Sequence, residues 1–132
     1  MEPKPNALES DPGTGSAQSH VIRGVEYRCN GNYKEAIAEF SRAIELDKKN
    51  GDAYAFRGGI YGNLEKWDDA ISDFTNAIAL NQKDGDYVSR GCAYFMIEKY
   101  KEARSDLEAA LRLNPENTGA KQALAQLGSI GY

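Results

Sequence analysis

The sequence holds no apolar run close to the roughly 18 residues a membrane-spanning helix needs, so bilayer insertion is not expected. Its opening residues show no basic stretch followed by a continuous apolar one, and no secretory signal is expected. Histidine occurs once, as His20, so a Ser-His-Asp or Cys-His site would have to be built around that ring alone. Cys29 and Cys92 are the two cysteines, and they lie too far apart for a metal-ligand spacing. They read as free thiols in a reducing compartment, which predicts a cytoplasmic location. Net charge is −4, from sixteen Lys plus Arg against twenty Asp plus Glu, with no basic cluster to neutralise phosphates. A nucleic-acid partner is therefore not expected. No nucleophile-base pairing, glycine-rich phosphate loop or cluster of metal ligands is present, so the chain reads as a non-enzyme without cofactor or metal. The acidic pairs Asp68-Asp69 and Asp84/Asp86 lack calcium-loop spacing and fall at helix starts, where carboxylates complement the dipole.

What is present is repetition. The chain has 132 residues, 41% hydrophobic and 27% charged, which suits one folded domain. Tyr33-Lys34-Glu35-Ala36-Ile37 aligns with Trp67-Asp68-Asp69-Ala70-Ile71 and with Tyr100-Lys101-Glu102-Ala103-Arg104. The steps are 34 residues from Ala36 to Ala70 and 33 from Ala70 to Ala103. Arg23-Gly24, Arg57-Gly58 and Arg90-Gly91 keep the same steps, as do Tyr27, Tyr61 and Tyr94. Such a period predicts stacked helical hairpins.

Each unit reads as two helices. Tyr54, Gly58 and Tyr61 share one face of the first helix, and Tyr87, Gly91 and Tyr94 repeat that face, as do His20, Gly24 and Tyr27. The second helix alternates large and small residues, as in Trp67, Ala70, Phe74 and Ala77. Tyr33, Ala36, Phe40 and Ala43 form the matching series, followed by Tyr100, Ala103, Leu107 and Ala110. A mid-helix glycine costs about 1 kcal/mol relative to alanine, so its recurrence calls for compensation by close packing. The gap it leaves admits a ring from the second helix. A bulky residue at Ala70 is then expected to overpack the pair by roughly 1–3 kcal/mol.

These residues resemble the tetratricopeptide repeat over about residues 17–117. Tyr54, Gly58, Tyr61, Ala70, Phe74 and Ala77 match its pattern in the second repeat. Departures are His20 in place of an aromatic, Leu107 in place of phenylalanine, and a closing proline only at Pro115. The resemblance implies an all-α fold, a right-handed superhelical array of antiparallel helix pairs (an α-solenoid) with seven helices. The expected organisation is a disordered lead-in over 1–16, then repeats over 17–50, 51–83 and 84–117. A capping helix over 118–127, with Ala120, Ala123, Leu124 and Leu127 on one side, precedes a flexible tail over 128–132. Turns are marked by Asn30-Gly31-Asn32, Asp47-Lys48-Lys49-Asn50, Lys83-Asp84-Gly85 and Asn114-Pro115-Glu116-Asn117, with Asn32 and Glu35 suiting a capping box.

Two surface expectations follow. Arg23, Arg57 and Arg90 recur in register with Glu39, Asp73 and Asp106, which predicts Arg–carboxylate pairing between adjacent helices. By the resemblance, first helices line an inner groove, and its candidate contacts are Val21, Val25, Arg28, Phe56, Asn63, Val88, Cys92, Phe95 and Met96. Members of the family that clamp a chaperone's C-terminal carboxylate use lysine, asparagine and arginine at positions matching Val21, Val25, Phe56, Gly85 and Ser89. None of these five supplies a cation, so that clamp is not expected. The groove reads instead as apolar, suited to an amphipathic helix or apolar segment of a partner protein, with the chain as adaptor or scaffold. The alternatives are that these side chains pack between first helices, or that the array self-associates as a homo-oligomer.

Overall fold

A computed structural model describes residues 14–132, and the expected lead-in over residues 1–13 lies outside them. Seven helices follow one another: α1 (Thr14–Cys29), α2 (Tyr33–Leu46), α3 (Gly51–Asn63), α4 (Trp67–Leu80), α5 (Asp84–Met96), α6 (Tyr100–Leu113) and α7 (Thr118–Ser129). They pack as sequential antiparallel pairs, α1 with α2, α3 with α4, and α5 with α6, while α7 rests on α5 and α6. Residues 14–16, assigned to the lead-in by their composition, begin α1 instead, where Ser16 and Ala17 are already buried.

The glycine register explains the closeness of each pair. A Cβ on Gly24 would sit 2.6 Å from the Phe40 ring, and one on Gly58 would meet Phe74 at 3.2 Å. At Gly91 the neighbour is Leu107 Cγ at 3.2 Å, so leucine fills the gap in the third pair. Two apolar clusters result. One gathers Val21, Ala36, Phe40, Ala43, Ala53 and Ile60 between the first repeat and α3. The other gathers Ala103, Leu107, Ala110, Ala120 and Leu127 beneath α7.

Turns inside each pair share one main-chain device. Gly31, Glu65 and Glu98 adopt positive φ, at 80°, 60° and 64°. The next residue then donates its N–H back to a tyrosine carbonyl: Asn32 to Tyr27, Lys66 to Tyr61, and Lys99 to Tyr94, at 2.8, 2.8 and 2.9 Å. This satisfies carbonyls that the helix end leaves open. It also corrects the capping box expected at Asn32, whose side chain makes no cap hydrogen bond. The side-chain caps sit between repeats, where Asn50 accepts from Ala53 N–H and Asn117 from Ala120 N–H.

The end of the chain departs from a flexible tail. The helix continues to Ser129, Gly131 takes φ 99°, and Tyr132 N–H bonds Leu127 O at 2.8 Å. The Tyr132 ring then lies 4.9 Å from Tyr100. Leu127 thus extends the Tyr27, Tyr61, Tyr94 series, and α7 stands in the register of a first helix.

Candidate functional site: a groove across α3, α5 and α7

The arginine ladder is built as the register predicts, and it does more. Arg57 grips Asp73 through Nε and Nη2, both at 2.8 Å, and Arg90 grips Asp106 at 2.8 and 2.7 Å. Both carboxylates are buried, and these hydrogen bonds are the leading reason each guanidinium is held above its usual pKa. The remaining Nη1 reaches back to the preceding repeat: Arg57 to Ser41 Oγ at 2.9 Å, Arg90 to Thr75 Oγ1 at 3.0 Å. Each guanidinium also lies between two tyrosine rings, Tyr54 and Tyr61 or Tyr87 and Tyr94, at 5.8–6.0 Å. These arginines are therefore committed to holding repeats together. The link to Ser41 and Thr75 was missed from the sequence, although the two hydroxyls are themselves 34 residues apart.

In the first repeat the ladder is altered. His20 Nδ1 lies 2.6 Å from Glu39 Oε1, while Arg23 Nε reaches the same oxygen at 3.4 Å. Arg23 Nη2 is also 3.1 Å from His20 Nδ1, so Glu39 and Arg23 compete for one ring nitrogen.

The predicted groove residues divide into two sets. A groove of about 560 Å³ brings together Asn63, Val88, Cys92, Phe95 and Met96, with Gly59, Gly62, Trp67, Ser89, Ala123 and Gln126 also on its walls. Val21, Val25, Arg28 and Phe56 are not among its lining residues. Val21 is only 5% exposed and belongs to the first apolar cluster, which corrects its placement on the inner surface. In that cluster Val21 packs with Ala36, Phe40 and Ala43 of α2 and with Ala53 and Ile60 of α3. Val25 packs against the same cluster. Phe56 stacks on Phe40 at 5.5 Å, and the Arg28 guanidinium lies over the Phe56 ring at 5.2 Å from its centroid.

Local sequence explains where the groove opens. Gly59 and Gly62 occupy the second-repeat positions of Val25 and Arg28, and a Cβ on Gly59 would meet nothing within 4 Å. Beyond them, Met96 stands 54% exposed. Trp67, read only as a packing residue of α4, forms part of the wall, 3.7 Å from where a Gly62 Cβ would be. No Lys, Arg, His, Asp or Glu lines the groove. Cys92 has exposed surface, yet the surrounding walls exclude enough water to push its thiol pKa up, which favours the neutral form. Among the described residues, no three His, Cys, Asp or Glu side chains are grouped to hold a metal ion, and no helix is long and apolar enough to cross a membrane.

An array of helix pairs with this register defines a helical-repeat protein, and comparison with known proteins identifies the repeat. Residues 24–65 match the family described as TPR repeat, and residues 86–117 match Tetratricopeptide repeat. Among solved structures, "First TPR of Spaghetti (RPAP3) bound to HSP90 peptide SRMEEVD" is 31% identical, with TM-score 0.86, covering 89% of this chain and 94% of that one. The first TPR domain of human RPAP3 is 32% identical, with TM-score 0.84 and coverages of 89% and 93%. The second TPR domain of human RPAP3, in complex with HSP70 peptide SGPTIEEVD, is 30% identical, with TM-score 0.79 and coverages of 85% and 98%. A comparison with curated protein sequences finds no match. The chain belongs to the tetratricopeptide repeat family.

Proposed function

We propose that this chain is a non-catalytic protein-interaction module that receives a peptide or amphipathic helix of a partner protein in its groove, acting as adaptor or scaffold in the cytoplasm. The observation that carries the reading is the groove itself. It is lined by residues of α3, α5 and α7, with Trp67, Ala70 and Phe74 of α4 and Leu107 of α6, and its volume lies within the roughly 300–1,000 Å³ of ligand sites. The similarity to TPR domains bound to HSP90 and HSP70 peptides supports a peptide as ligand.

The acidic chaperone tail is not the ligand we favour. Val21, Val25, Phe56, Gly85 and Ser89 offer no cation, and Arg57 and Arg90 are engaged by Asp73 and Asp106. A pull-down comparing wild type with Gly59→Leu tests the groove, because the leucine enters open space. Loss of captured partners is expected; identical partner lists would remove the groove from consideration. A second reading is self-association, favoured by the half-exposed Leu113, Ile130 and Tyr132 towards the α7 end of the array. Light scattering across concentration tests it, and a constant monomer mass would end it.

A further inference from the structure

We propose that α7 is a wall of the ligand site as well as a cap, and that the pocket it closes takes an uncharged apolar side chain from an internal segment of the partner, with Asn63 and Gln126 holding the flanking peptide groups. The proposal rests on the reading of the groove as a peptide site and specifies what that site selects.

The first observation is a substitution in register. Where α1, α3 and α5 carry Arg23, Arg57 and Arg90, α7 carries Ala123, and Ala123 lines the groove together with Gln126 one turn further on. Alanine adds a short apolar surface to the groove that Cys92 and Val88 also line, and Ala123 and Val88 pack against the same apolar cluster.

The second observation is electrical. A carboxylate or ammonium entering this groove would give up water and meet no opposite charge, a cost its surroundings do not offset. A leucine, methionine or phenylalanine side chain gives up only unfavourable hydration. Neutral lining and neutral anchor are complementary. The carboxamides of Asn63, at the end of α3, and Gln126, on α7, each carry an acceptor and two N–H donors, of which one on Asn63 is turned to Tyr33 Oη at 3.5 Å, and the rest suit peptide N–H and C=O groups.

The test uses the full chain and a displayed library of acetylated, amidated heptapeptides with the central pair randomised, beside SRMEEVD carrying its free carboxylate. Selection is expected to enrich Leu, Met or Phe at the centre. Affinity of the selected peptides should fall at least tenfold in Ala123→Glu and a few-fold in Gln126→Ala. A circular dichroism melt checks folding, and Gln126→Ala at an exposed position keeps the test valid should Ala123→Glu unfold. Enrichment of acidic or basic centres, or SRMEEVD binding as tightly as the selected peptides, would overturn the inference. If that charged binding is abolished by Gly59→Leu, the groove remains the peptide site and only its selectivity falls. If apolar peptides bind but none of the three variants weakens them, or if no peptide is enriched, both readings fall.

Discussion

In the first repeat, Val25 and Arg28 occupy positions that Gly59 and Gly62 hold in the second, and Cys92 and Phe95 in the third. At the first-repeat end, Phe56 is stacked on Phe40 and covered by Arg28, so the inner face is closed by its own side chains. Further along, two glycines remove the side chains that would do the same, and the face opens into a groove bounded by Met96 and α7. One register therefore serves two ends. The ladder of ion pairs follows the same division: bidentate and buried in repeats two and three, shared with an imidazole and more open in repeat one. Stability and access are set by which residue fills a position whose backbone geometry is nearly constant.

The largest expected effects break the ladder. Arg57→Glu should cost about 3–5 kcal/mol by leaving Asp73 buried beside a like charge, with partial recovery when Asp73→Arg is added. Chemical denaturation of the four-member cycle measures the coupling, and full additivity would refute the pair. Arg23→Glu, at a 36%-exposed side chain and a 3.4 Å contact, should cost less than about 1 kcal/mol. Next come the glycines. Gly24→Leu drives a side chain into the Phe40 ring and should cost about 3 kcal/mol, whereas Gly59→Leu should leave stability unchanged or raise it by up to about 1 kcal/mol. Equal melting temperatures for these two variants would erase the contrast between packing and groove glycines.

A pH effect separates the two ends more gently. Asp84 accepts from Asn117 at 2.8 Å and Asn114 at 3.0 Å, and these bonds hold its carboxyl below the ordinary 3.8. Its stabilising contribution is then fully present above that value and is lost as pH falls through the lower folded pKa. Asp84→Asn should flatten the melting temperature against pH below about 4, and an unchanged slope would count against it. Burial pushes Asp86 the other way, so Asp86→Asn should steepen the same profile. The smallest effect belongs to the turns: Glu98→Gly removes a left-handed penalty of about 1–2 kcal/mol but adds unfolded-chain entropy, for a net gain below about 1 kcal/mol by thermal melt.

The fold was legible because its signal is redundant. Glycine facing a ring or Leu107, and arginine facing acid, each recur at the same steps, and each is a contact within one hairpin. The groove was only half legible. Asn63, Val88, Cys92, Phe95 and Met96 line one groove, whereas Val21 is taken up by the cluster it forms with α2 and α3. The hydroxyls of Ser41 and Thr75 are contacts across repeats, which intra-hairpin periodicity does not report. Trp67 was legible as a large packing residue, and only its neighbour Gly62 shows why one edge of its ring meets the groove.

The turn after α7 has a consequence for modularity. With Gly131 left-handed and Tyr132 bonded back to Leu127, the backbone already points as it does before α2, α4 and α6. The side chains differ, since Leu124 stands where Gly24, Gly58 and Gly91 stand and Ala123 where the arginines stand. Leu124→Gly with Ala123→Arg would give α7 the glycine gap and the arginine with which a first helix receives a second one. The same exchange would charge one wall of the groove, so in this array lengthening the solenoid and keeping a neutral pocket are competing designs.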